Sequence, residues 1–379
     1  MTNAEMKKYA KDKHCSMLET LKELCHIPAP SHFEHQRAEY CKKWLENKGA
    51  KGVYIDEALN VIFPVNCESS NEITVFVAHT DTVFPDTEPM PYREDAENIY
   101  CPGVGDDTAG VVTILHSAEF FIKENLIPEK GVMFVLNSCE EGLGNLKGTR
   151  QLFKDFKDRI KQFISFDGAK LNKISNRCAG SHRYEVEVKT CGGHSYQAFG
   201  NPNAINELSK IINAIYSIEV PKKEGERTTY NVGSISGGTS VNTIAQSAKM
   251  LCEYRSSHKD CLAIMQEKFE EIFENARSAD IEVIVEKIGD RPCSDIDFAK
   301  IDKLENVISP IIEEIMDEPP VCASASTDCN IPLSIGIPAI CVSTYTGANA
   351  HTREEWINKE SLILGLEYAL RIITAFTEV

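Results

Sequence analysis

No stretch of this 379-residue chain approaches the ~18 consecutive apolar residues that a membrane-spanning helix requires. The opening segment, MTNAEMKKYAKDKHCSML, lacks an apolar core and a small-residue cleavage site, so no secretion signal is expected. The fourteen cysteines lie singly between Cys15 and Cys341, with no C-x-x-C pair. That spacing argues against a structural zinc ribbon, and so many unpaired thiols belong in a reducing compartment. A cytoplasmic protein with no membrane partner is therefore expected. A basic face is also missing. Asp and Glu number 57 against 40 Lys and Arg, a formal charge of -17, which makes nucleic acid a poor partner. Repeats and low-complexity segments are absent as well.

What is present is a chain long enough for two domains. Amphipathic patterns predict helices over residues 5–25 and from His35 to Lys48. Three short apolar runs follow: Ile73–Ala78 (ITVFVA), Val132–Ser138 (VMFVLNS) and Phe163–Phe166 (FISF). Each is rich in β-formers and too short for a helix, and helical patterns such as TAGVVTILHSAEFFIKE lie between them. Such alternation implies an α/β fold with a mostly parallel sheet flanked by helices. Near residue 181 the pattern changes. Tyr184–Lys189 (YEVEVK) alternates strictly, as a strand with one wet face does, and a compact α+β unit continues to residue 290. After Arg291 the α/β pattern resumes, with a helix at Ile301–Ile315, the run PAICVST and a closing helix through Ser361–Phe376. Residues 1–180 and 291–379 are thus expected to form one domain, with 181–290 inserted as a second.

The chemistry gathers at the ends of the β-type runs. In VFVAHTDT, His79 and Asp81 lie two apart, so an extended backbone points both the same way. Glu140 and Glu141 adjoin the strand in FVLNSCEEG, Asp167 follows one in FISFDG, and His351 follows PAICVST after a Gly-containing loop. In open α/β sheets the ligand crevice lies outside the carboxyl ends of the strands, so these groups should converge. A fifth signal is CPGVGDDTAG, Cys101 to Gly110. A phosphate cradle there is disfavoured, because Lys-Ser/Thr is missing and paired aspartates would repel phosphate. Histidines and carboxylates without thiolate form an N/O donor set suited to Zn²⁺, Mn²⁺ or Co²⁺. The surplus of donors over one tetrahedral site points to two divalent ions sharing a carboxylate. Cys139 beside the glutamate pair raises a cysteine-dependent hydrolase as a rival, disfavoured by the metal donors next to it.

H-T-D-T, G-V-G-D-D-T-A-G, E-E-G, F-D-G and A-H-T-x-x-E, in that order, resemble the M20 family of metallopeptidases. That family includes peptidase T, the carboxypeptidase G2 type and the acetylornithine and succinyl-diaminopimelate deacylases. The resemblance runs from LKELCHIPAPSHFEHQRAEY to HTREEWI and includes GGHSYQAFGNPNAI and GGTSVNTI in the inserted domain. It implies a zinc-exopeptidase-like catalytic domain with an inserted lid and dimerisation domain. Asp106 would bridge two metals, most readily zinc, with His79 and Asp167 completing one site and Glu141 and His351 the other. Asp81 would clamp the His79 imidazole, and Glu140 would be the general base. His194, Asn242 and Arg255 would contact substrate, His194 being supplied by the partner subunit of a homodimer.

Departures from the family pattern leave the subfamily open: Thr108, Gly193, Tyr196 and Ala245 stand where relatives often carry Lys, Ala, Gly and Pro. The expected function is hydrolysis of amide bonds in small peptides by an exopeptidase of tripeptidase or carboxypeptidase type. An N-acyl-amino-acid deacylase is the alternative, and an inactive binding protein a remote one.

Overall fold

In a computed structural model, which describes residues 2–377, the chain divides into two compact units. The first comprises residues 1–178 and 295–379, the second residues 179–294.

The first unit is built on an eight-stranded sheet. Its order is Tyr54–Ile55, Val61–Val65, Gly131–Asn137, Ile73–His79, Ile160–Phe166, Ala339–Val342, Lys173–Cys178 and Val321–Ala325. Ile73–His79 runs parallel to both of its neighbours, and Ile160–Phe166 is parallel to Ala339–Val342. Val61–Val65 joins antiparallel to Gly131–Asn137. The two strands Ile73–His79 and Gly131–Asn137 are buried along their full length, which explains their unbroken apolar sequences: both faces are covered. One cover is the helix Gly110–Lys123, buried from Gly110 to Phe121. Between it and the sheet, Phe63, Phe76, Phe121, Phe134 and Phe166 form a chain of ring contacts.

The helices read from the sequence form close to where their periodicity placed them, at Asn3–Cys25, His35–Asn47, Phe298–Met316 and Ser361–Thr377. Asn3–Cys25 packs against Ser361–Thr377 and Gly110–Lys123. Beside that last contact Glu119 meets two lysines and a histidine. Lys13 Nζ and Lys48 Nζ lie 2.7 and 2.9 Å from its Oε1, and His116 Nδ1 lies 3.4 Å from Oε2. Burial pushes the Glu119 carboxyl up, but the bonds to His116, Lys13 and Lys48 outweigh it and hold the group well below its ordinary 4.5. A carboxylate depressed in the folded state stabilises above its unfolded pKa and ceases to do so as pH falls through the folded value. Glu119→Gln is therefore expected to cost about 1–2 kcal/mol at pH 7, allowing for solvent screening. In paired thermal melts, that gap should close progressively below pH 4.5, the ordinary carboxyl value. A gap that stays constant down to pH 3 would show that charge is not its source.

The second unit is a four-stranded antiparallel sheet, in the order Thr228–Gly237, Ser247–Ser256, Gly180–Lys189 and Glu282–Arg291. Gly180–Lys189 alternates between buried and half-buried residues over most of its length, matching its alternating sequence. The helices Ala204–Tyr216 and Lys259–Asn275 pack on the sheet and close a separate core around Tyr184, Tyr254 and Phe269. Among the described residues, no helix is long and apolar enough to cross a membrane. All fourteen cysteines are free thiols.

Candidate metal centre

Four strands of the first sheet deliver their following residues to one edge. His79 closes Ile73–His79 and pairs in register with Asn137, the last residue of the adjacent strand, so Glu140 and Glu141 follow three and four residues later. Phe166 pairs with Val342, which places Asp167 and the segment after Val342 at the same end. A small second sheet supplies the remaining side. Its strands Asn98–Tyr100 and Trp356–Asn358 pair Tyr100 with Trp356, which lays the His351 segment beside the loop from Cys101 to Asp106.

The donor atoms meet there. His79 Nε2 stands 3.1 Å from Asp106 Oδ1, while His351 Nε2 stands 3.0 Å from Asp106 Oδ2 and 3.0 Å from Glu141 Oε1. One donor atom from each of His79, Asp106 and Glu141 falls within 4.8 Å of the others. The two oxygens of Asp106 thus face two different imidazoles, the arrangement a carboxylate shared by two cations requires. Burial pushes the Asp106 carboxyl up, but hydrogen bonds from His351 and His79 outweigh it and hold it ionised. In turn, the bonds to Asp106 and Glu141 raise His351 to about 11. Burial alone would lower His79, yet Asp106 and Asp81 raise it well above its ordinary value. A divalent cation that displaces these ring protons would take the same nitrogens and carboxylate oxygens, so the donor set fits a metal by chemistry and by placement. Asp167 is half-buried, and desolvation together with the Asp106 charge raises it to about 7.

Buried carboxylates hold the backbone of the donor segments. Asp81 Oδ1 and Oδ2 accept the N–H groups of Glu140 and Glu141, each at 2.9 Å, and Ser31 Oγ donates to Oδ2 at 2.6 Å. Asp81 also meets His79, whose Nδ1 lies 3.0 Å from its backbone carbonyl and 3.4 Å from Oδ1. It therefore orients the imbedded histidine and the glutamate pair together. Glu34 Oε1 accepts from Cys139 N at 3.0 Å, so three consecutive amides ending at Glu141 point at carboxylates. Asp107 Oδ2 accepts from His79 N at 3.0 Å. Packing around it is tight: a Cβ on Gly110 would lie 2.2 Å from Asp107 Oδ1 and 2.3 Å from the Phe166 carbonyl, so only glycine fits there. Arg37, 1% exposed, donates to the carbonyls of Leu24, Ile27 and Thr80 and to Thr108 Oγ1, tying the histidine and aspartate loops together. Sequence reading passed over Glu34, Arg37 and Asp107. The FEHQRAEY and GDDTAG segments carry them, but a charged residue on or beside an amphipathic helix reads first as a solvated one.

Cys139 is buried and burial pushes its thiol to about 12, which leaves no thiolate for nucleophilic chemistry at neutral pH.

His194, Asn242 and Arg255 belong to the second unit. His194 pairs in register with Thr243, and Ser195 N donates to the Asn242 carbonyl at 3.0 Å, so His194 and Asn242 are neighbours. His194 Nδ1 accepts from the amides of Tyr196 and Gln197 at 3.3 and 3.4 Å. That assigns the ring proton to Nε2, which is exposed and free to donate. Arg255 already grips Glu253, with Nε and Nη2 at 2.8 and 3.1 Å from its two oxygens, so a substrate carboxylate there would share the guanidinium.

An imidazole-and-carboxylate cluster at the carboxyl edge of an α/β sheet is a candidate metal centre. The chain belongs to peptidase family M20/M25/M40, whose description matches residues 75–375. It is 23% identical over 380 positions to the uncharacterized protein YqjE of Bacillus subtilis, covering 94% of this chain and 97% of that one. Its fold is similar to that of a tripeptidase from Staphylococcus aureus (TM-score 0.75, 21% identity), covering 97% of this chain and 99% of that chain. It is also similar to YXEP of Bacillus subtilis, a dinuclear metal binding peptidase from the M20 family (TM-score 0.65, 15% identity), with coverage of 97% and 99%.

Proposed function

We propose that this peptidase is a dinuclear exopeptidase that hydrolyses amide bonds of small peptides, with Glu140 as general base. The observation that carries the reading is the division of Asp106, one oxygen towards His79 and the other towards His351. Asp106 would be the shared ligand, His79 and Asp167 would hold one ion, and Glu141 and His351 the other. Zinc suits this N/O set best, with cobalt and manganese as replacements. Two divalent cations so held would supply the chemistry of lowering the pKa of water and polarising the scissile carbonyl.

The chain's own groups do the rest. Glu140 is 5% exposed and adjoins the ligand Glu141, where it takes the proton of the attacking water and returns it to the departing amine. Asp81 keeps Glu140 and His79 in place through the bonds described above. His194, with its proton on Nε2, is the proposed donor to the tetrahedral oxyanion, brought by the second unit of a partner copy in a homodimer. Asn242 and Arg255 accompany it as contacts to substrate. The YXEP and tripeptidase likenesses support the metal pair and the peptide class respectively.

The test is metal content together with turnover of tripeptides, dipeptides, C-terminally extended peptides and N-acetylated amino acids. Two metals per chain and release of a terminal amino acid from a free tripeptide are expected. Turnover of the N-acylated substrates alone would replace the peptidase reading with a deacylase, and absence of bound metal would remove both.

A further inference from the structure

The loop from Cys101 to Asp106 carries the central ligand but has little regular structure of its own to satisfy its amides. Val104 N finds the Cys101 carbonyl at 3.0 Å. The other three that point inward converge on one side chain from the far end of the sequence. Glu355 Oε2 accepts from Gly103 N at 2.6 Å, and Oε1 accepts from Gly105 N at 2.9 Å and Asp106 N at 2.8 Å. Glu355 is 2% exposed, and its backbone carbonyl also accepts from Cys101 N at 3.2 Å. It stands four residues after His351, on the segment fixed by the Trp356–Tyr100 pairing. The same short stretch therefore presents one histidine to Asp106 Oδ2 and clamps the Asp106 backbone from behind.

We propose that Glu355 is a positioning residue that fixes the separation of Asp106 and His351 and so sets the affinity of the cluster for its metal pair. The proposal rests on the dinuclear reading above. A carboxylate is required because all three partners are donors and an acceptor must meet each of them. Glutamine would turn an NH₂ towards at least one of those amides, leaving a buried donor facing a donor. Aspartate keeps the charge but is shorter by roughly 1.5 Å, one carbon–carbon bond, and cannot reach the loop without moving it. Either change displaces Asp106 relative to His351, and small displacements matter at a metal because ligand orientation is set by the groups behind it. Glu355 closes a set: Asp81 and Glu34 hold the Glu141 segment, Asp107 holds the His79 amide, and Glu355 holds Asp106.

The experiment titrates Co²⁺ into metal-free, full-length wild-type, Glu355→Gln and Glu355→Asp proteins and follows the visible absorption, with thermal melts of each metal-free protein alongside. Wild type is expected to take up two Co²⁺ per chain. The glutamine variant should bind about 10–100-fold more weakly with an altered band shape, at a melting temperature that leaves the protein folded. The aspartate variant should fall between. Wild-type affinity and spectrum in Glu355→Gln would overturn the proposal. If that variant does not fold, Glu355→Asp decides instead: weakened Co²⁺ binding supports the assignment and unchanged binding overturns it. Failure of the wild type itself to bind two Co²⁺ would overturn the dinuclear reading, and the positioning role with it.

Discussion

Glu140→Gln should lower kcat by about 10²–10⁴-fold, the range a positioned general base contributes. Bound metal and KM should change little, because the backbone of residue 140 is held by Asp81 and not by its own side chain. The carboxamide is nearly the same size as the carboxylate and can neither accept nor return a proton, so chemistry is lost while the site survives. Steady-state kinetics with parallel metal analysis checks this. Loss of metal along with activity would make Glu140 a ligand, and undiminished turnover would remove it from the mechanism.

Asp106→Ala is expected to have a broader effect, abolishing turnover and at least one of the two metal sites together. Among the described residues, Asp106 is the carboxylate that meets both His79 and His351. His79 stays anchored by Asp81 and Asp107, so a residual ion could persist on that side. Metal analysis after dialysis, with isothermal titration of Zn²⁺ into the metal-free variant, reads the result. Two ions retained at wild-type affinity would mean that the carboxylate is not shared.

Much of this architecture was legible because buried parallel strands leave a strong mark. Ile73–His79 and Gly131–Asn137 are covered on both faces, and their sequences are continuous apolar runs whose ends point straight to His79 and Glu140. The strands Lys173–Cys178 and Val321–Ala325, the last two at one side of the sheet, escape the sequence pattern, as partly exposed segments with serine, asparagine and arginine carry no clear period. The small sheet was equally hidden. Its strands have two or three residues, too few for any alternation, yet the pairing of Tyr100 with Trp356 is what brings His351 to Asp106. Motif order implies that His351 and Asp106 share one site, and the two side chains lie 3.0 Å apart. It could not show that Glu355, the last letter of A-H-T-x-x-E, turns its carboxylate to the amides of a loop 250 residues away.

The division of the first unit into two stretches of chain has a consequence for biosynthesis. Its sheet is complete only when Val321–Ala325 and Ala339–Val342 dock on strands made long before, and its first helix lies against Ser361–Thr377, the final one. The second unit is continuous from residue 179 to 294, and domains generally fold as units during synthesis. Synthesis therefore favours an order in which the inserted unit matures while the larger one waits with its apolar strands unsatisfied. The imidazole-and-carboxylate cluster follows the larger unit, because His351, which meets Asp106 and Glu141, is made after both of them.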